Sequence, residues 1–201
     1  MYYLLSSSQG KFTDLGSSFL CSLIPLSSPE DLKKAQEDFK KENPKADHYP
    51  YAFRFEGLSR SSDDGEPSGT GGRALLSLLE QRECDCCLLI VARYFGGTKL
   101  GIPRLRRAFI EAGEDAIRNA TLYEKKPQYI YDLTLTYSEF STLQNNQARY
   151  GYQLKNSIFD VNVLTTCVSA RIIDEIWEKL GLDMSLLPSP RDEMQLVEVE
   201  R

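Results

Sequence analysis

Two glycine-rich loops with a single apolar run between them constrain this chain more than any other feature. The first is Asp63-Asp64-Gly65-Glu66-Pro67-Ser68-Gly69-Thr70-Gly71-Gly72-Arg73. The second lies within Arg93-Tyr94-Phe95-Gly96-Gly97-Thr98-Lys99-Leu100-Gly101-Ile102-Pro103-Arg104-Leu105-Arg106-Arg107. The intervening Cys86-Cys87-Leu88-Leu89-Ile90-Val91-Ala92 is apolar throughout, which suits a central strand buried on both faces. After the first loop Leu75, Leu76, Leu78 and Leu79 carry helical spacing, with Thr70 or Ser68 as the expected cap. After the second, Pro103 opens a helix with Leu105, Ala108, Phe109, Ala112 and Ala116 on one face. Each loop therefore feeds a helix, and the two are read as one site.

A length of 201 residues allows one or two domains, and 41% hydrophobic with 26% charged residues is ordinary for a soluble globular protein. No apolar run approaches the roughly 18 residues of a membrane span. The N-terminus lacks the basic start and apolar core of a secretory signal, so the expected location is the cytoplasm, with no membrane partner. The five cysteines, Cys21, Cys84, Cys86, Cys87 and Cys167, are expected to be reduced thiols. Cys84-Asp85-Cys86-Cys87 lacks the two separated ligand pairs of a zinc site, and neither a metal nor a cofactor is expected. Net charge is −5, yet residues 92–110 hold Arg93, Lys99, Arg104, Arg106 and Arg107 and no acid. An acidic body with one basic stripe offers a local landing place for an anion; the plainer reading of such a stripe is a solvated helix face.

Residues 10–26 read as extended structure in the manner of a hairpin. Ser28-Pro29-Glu30-Asp31 has the composition of a helix start, and Asn43-Pro44 of its stop. Tyr49, Tyr51, Phe53 and Phe55 alternate as in a half-buried strand, with His48 on the opposite face. Residues 58–72 read as one loop and 120–128 as a linker. Beyond it the order is strand, helix, two strands, helix and a last strand over residues 194–200, the β-α-β-β-α-β of the ferredoxin-like split arrangement. Trp177 falls on the apolar stripe of the second helix there, a core position. The expected class is α+β, with domains at residues 1–124 and 128–201.

Asp63-Asp64-Gly65-Glu66-Pro67-Ser68-Gly69-Thr70-Gly71-Gly72, followed by Val91-Ala92-Arg93-Tyr94-Phe95-Gly96-Gly97-Thr98-Lys99-Leu100-Gly101, resembles the signature of the IMPACT/YigZ family. Gly10-Lys11-Phe12 and Asn43-Pro44-Lys45-Ala46-Asp47-His48 are similar to further family segments, so the resemblance covers nearly the whole chain. It implies a ribosomal-protein-like α+β first domain, like domain IV of elongation factor G, and a ferredoxin-like second domain. Eukaryotic relatives regulate translation by antagonising activation of a starvation-sensing kinase. One departure stands out: the family usually follows Leu-Gly with threonine and paired glycines, whereas this chain has Ile102-Pro103-Arg104. Proline removes an amide donor, which moves the expected anion contact from backbone toward Arg104.

The expected function is a non-enzymatic, translation-associated regulator that binds RNA, the ribosome or a translation protein, or an anion such as phosphate. The expected contact residues are Lys11, Arg73, Arg93, Gly96, Gly97, Thr98, Lys99, Arg104 and Arg107. His48, Asp63, Asp64, Glu66 and Thr70 are expected to order the loops. The alternative is an enzyme acting on a phosphorylated or anionic small molecule, with Asp63, Asp64 and Glu66 as acid–base groups and His48 as proton carrier. No nucleophile elbow, P-loop or histidine pair accompanies them.

Overall fold

The computed structural model describes residues 1–199. Two compact units emerge, Met1–Glu124 with Glu198 and Val199, and Lys125–Val197.

The first unit contains β1 (Tyr2–Tyr3), β2 (Ser8–Asp14), β3 (Ser17–Pro25), α1 (Asp31–Glu42), β4 (Tyr51–Phe55), β5 (Leu58–Ser62), α2 (Gly72–Gln81), β6 (Cys87–Tyr94) and α3 (Ile102–Arg118). Its sheet runs β2-β3-β6-β4-β5, with neighbours antiparallel. β6 is the central strand, and its residues divide by parity. Leu89 and Val91 join Leu75, Leu78, Leu79 and Phe109 of α2 and α3 on one face. Leu88, Ile90 and Ala92 join Phe39 of α1 and Phe53 on the other. Both faces are covered, so the run needs no polar alternation, and each buried Leu or Ile contributes about 1.5–3 kcal/mol. The aromatic alternation from Tyr49 to Phe55 packs against the α1 face.

In the first unit, local geometry departs from the sequence expectations at the start of α1, at residues 58–62 and at the start of α2. α1 begins at Asp31, without a Ser28 side-chain cap; the Asp31 carboxylate instead accepts from the amides of Ser27 and Ser28. Residues 58–62, read as loop, form the exposed edge strand β5. Neither Thr70 nor Ser68 caps α2, whose N-cap is Gly71. The thiols of Cys21 and Cys87 are free, and burial pushes both far above their ordinary pKa, so they are inert packing groups.

The second unit contains most of β7 (Tyr123–Leu135), then α4 (Tyr137–Tyr150), β8 (Tyr152–Phe159), β9 (Val163–Ser169), α5 (Asp174–Lys179) and β10 (Arg191–Glu198). β10 pairs β7, β7 pairs β9 and β9 pairs β8, the ferredoxin-like order. β7 starts earlier than expected: the stretch read as a linker is already strand, with Tyr123 and Glu124 paired to Tyr3 and Tyr2. Thr136 and Glu139 make a capping box on α4, and Gly151 at φ 73° stops it. Trp177 is fully buried and donates to the Asp183 carbonyl, so it packs the core. Glu200, within the expected last strand, lies outside the described residues. Among the described residues no helix is long and apolar enough to cross a membrane.

Candidate functional site

The two loops meet at one end of the first unit's sheet. β6 carries Arg93 there, and β4's approach carries His48 beside it: the Arg93 amide donates to the His48 carbonyl, and the Asp47 amide to the Arg93 carbonyl. A cavity of about 480 Å3 opens at this end, lined by Asp47, His48, Glu66, Arg93, Phe95 and Lys99. Pro67, Leu100, Ile102 and Leu105 complete its apolar wall.

The acidic half of the first loop is engaged in hydrogen bonds within the domain. The Asp63 carboxylate accepts from the amides of Gly69, Gly71 and Gly72 at 2.8, 3.0 and 2.8 Å, and so caps α2 from eight or nine residues upstream. Asp64 accepts from the Tyr49 amide at 2.7 Å, and its carbonyl accepts from His48 Nδ1 at 2.8 Å. A carbonyl has no proton to give, so Nδ1 carries the hydrogen. Gly65 sits at φ 86°, where an added Cβ would lie 3.1 Å from the His48 ring. Thr70 donates to the Pro67 carbonyl at 2.6 Å.

Glu66 and Arg93 form a buried ion pair, 6% and 8% exposed, with Arg93 Nη1 reaching both carboxylate oxygens at 2.5 and 2.7 Å. The guanidinium lies 5.7 Å from the rings of both Phe19 and Phe95. Arg93 Nε is buried without a hydrogen-bond partner. Arg93 is thus a pillar under the second loop rather than an exposed contact.

That loop is pinned from below. The Asp47 carboxylate accepts from the Phe95 amide at 2.7 Å, and Ser17 Oγ from the Gly96 amide at 3.1 Å. Gly96 presses against the β2–β3 turn so closely that a Cβ would fall 2.0 Å from the Gly16 carbonyl carbon. Gly96→Ala is therefore expected to cost about 3 kcal/mol by overpacking backbone on backbone, read from urea midpoints; Gly97→Ala, facing open space at φ 86°, is expected to cost about 1 kcal/mol from backbone strain. Above the pins, Phe95 is 47% exposed, and Gly97, Thr98 and Lys99 are exposed.

The basic residues do not converge. Arg104 turns away from the cavity and makes a bidentate pair with Asp14 at 2.5 and 2.6 Å, holding that carboxyl below its ordinary pKa. The expected replacement of a backbone cradle by Arg104 is therefore corrected: its fork is filled by an acid from the β2–β3 hairpin, ninety residues away. Arg104 and Arg107 line a separate groove with Phe12 and Asp14, and Arg107 pairs with Glu111 at 3.3 Å. Lys11 is exposed on β2, and Arg73 is exposed in the first turn of α2. Asp47, Ser17 and Asp14, which hold the loop and the arginine, are not among the site residues expected from the sequence. Asp47, directly before His48, was the one with a visible signal, an acid at a strand start.

This geometry sits inside a domain that the comparisons identify. Residues 15–117 match the model of the Impact N-terminal domain, and the chain belongs to the IMPACT family. It is 28% identical over 190 residues to the IMPACT family member YigZ of Escherichia coli, covering 92% of this chain and 90% of that one. It is 29% identical over 150 residues to YvyE of Bacillus subtilis, covering 73% and 69%. A crystal structure of a hypothetical protein aligns over 99% of this chain and 97% of its own, with TM-score 0.59 and 24% identity, which supports the fold.

Proposed function

We propose that this chain is a translation-associated regulator that acts by binding, not catalysis, and meets RNA of the translation apparatus through the loop at residues 95–101. The observation that carries this reading is an exposed aromatic beside an unpaired cation on a pinned backbone. Phe95 is half exposed, Lys99 has no carboxylate within ion-pair distance among the described residues, and Asp47 and Ser17 fix the loop that presents them. Rings that stack on bases and cations that neutralise phosphates are the two parts of single-strand recognition. The family resemblance, whose eukaryotic members regulate translation, supplies the context. Arg104 and Arg107 line a separate groove and are each partly neutralised by a carboxylate, so the reading does not rest on them.

The catalytic alternative is the less supported reading. Asp63 holds three amides and Glu66 is paired with Arg93, and Asp64, bound to the Tyr49 amide, has no nucleophile beside it, which favours the binding reading.

Affinity for labelled oligouridine, measured by fluorescence anisotropy, is expected to fall steeply between about 50 and 200 mM salt. Lys99→Ala should reduce the slope of log affinity against log salt by about one, and Phe95→Ala should weaken binding by about 1–3 kcal/mol. Affinity indifferent to salt and to both substitutions overturns the reading, as does a translation protein retained after RNase treatment with no RNA bound.

A further inference from the structure

We infer that the cavity between the two loops binds one nucleoside monophosphate unit, either a free nucleotide or the 5′-phosphorylated end of a strand. A strand-borne unit rests on the RNA-binding reading above; a free nucleotide does not.

The volume, about 480 Å3, lies within the range of small-molecule sites. Its lining separates into two chemistries. On the apolar side, Phe95 offers a half-exposed ring, with Leu100, Ile102 and Leu105 nearby to cover the face of a flat base. On the polar side the hydrogen-bonding groups left over are mostly donors. Lys99 has no carboxylate partner among the described residues, and α3 begins at Gly101-Ile102 with no side chain capping its first turn. That helix is 17 residues long, so its N-terminus carries the partial positive charge that stabilises a phosphate.

Two further residues of the lining have unused hydrogen-bonding capacity. Arg93 lines the cavity, is nine-tenths buried, and has an Nε with no acceptor. Its pair with Glu66 leaves that buried donor unmatched. His48, with Nδ1 committed to the Asp64 carbonyl, keeps Nε2 without a bond to the described protein. In the neutral ring that nitrogen accepts, which suits a ribose hydroxyl.

Of the two acids that line the cavity, only one carries a charge uncompensated by an ion pair among the described residues. Glu66 is offset by the Arg93 charge, whereas Asp47 accepts from the Phe95 amide and keeps its own charge, which Lys99 and the α3 N-terminus offset. Gly97 and Gly101 have open space where a Cβ would stand, so a phosphate can approach the second loop's backbone closely.

The test is isothermal titration calorimetry of the full chain with uridine 5′-monophosphate and with uridine. The monophosphate is expected to bind at least about tenfold more tightly, because the phosphate adds charge-assisted bonds. Lys99→Ala should remove most of that difference, and Lys33→Ala on the exposed face of α1 should keep it. Equal binding of the two ligands, no binding of either, or a difference that survives Lys99→Ala overturns the inference. Oligouridine with and without a 5′-phosphate separates the sources: a preference for the phosphorylated strand assigns the site to strand ends, and its absence alongside monophosphate binding assigns it to free nucleotides. Salt-sensitive oligouridine binding with no monophosphate binding overturns the cavity site and leaves RNA binding standing. Monophosphate binding with no oligouridine binding does the reverse.

Discussion

Glu66→Ala is expected to lower the free energy of unfolding by about 3–5 kcal/mol, because it strands the buried Arg93 charge without its partner. The two side chains are 10% and 1% exposed, so water cannot substitute for the missing carboxylate. Glu66→Gln keeps one carbonyl acceptor for Nη1 and should lose less. The decisive comparison is the double substitution Glu66→Leu with Arg93→Met. Replacing a buried pair by apolar groups of similar volume is often close to neutral, and here it also removes the orphaned Nε. The double variant is therefore expected to regain most of the stability lost in Glu66→Ala. Urea unfolding of all three decides it; a Glu66→Ala cost under about 1 kcal/mol would show that the pair is solvated and not a pillar.

The second large effect is expected at Asp63. Three amide donors converge on this one carboxylate, and bonds to a charged acceptor are worth more than neutral ones. The side chain is only partly buried, so Asp63→Ala is expected to cost about 3 kcal/mol, below the sum of three fully buried bonds. Asp63→Asn should fall between: its carbonyl can serve Gly71 and Gly72, but its NH2 group then faces the Gly69 amide, donor against donor. Amide exchange over residues 69–72 is expected to speed up in both variants, more in alanine. An Asp63→Ala protein as stable as wild type would mean that water caps α2 equally well.

What was legible in the sequence follows from what was periodic. The run from Cys87 to Ala92 announced a central strand because both faces are covered, and Leu75 to Leu79 and Leu105 to Ala116 announced the helices because their stripes meet one core. β5 was illegible for the opposite reason: Leu58, Ser59, Arg60 and Ser61 are all exposed on an edge, so no period of two is imposed on them. The start of β7 was hidden by Lys125-Lys126-Pro127, a charged run that looks like a connection.

The site was half legible. Glycines and cations mark where two loops lie, but not which groups are already spent. Asp63 reaches amides up to nine residues on, Glu66 meets Arg93 across 27 positions, and Arg104 meets Asp14 across 90. Such pairings are set by the sheet order, which no local pattern encodes. They occupy two of the candidate acids, Asp63 and Glu66, and leave Phe95 and Lys99 exposed.

The central claim is that partners meet this protein at the second loop and the start of α3. Hydrogen–deuterium exchange of the full chain, with and without saturating oligouridine, tests it most directly. The expected result is slowed exchange at the amides of residues 96–102, with little change across β8 and β9. Slowing confined to β8 and β9, with residues 96–102 unchanged, would contradict it.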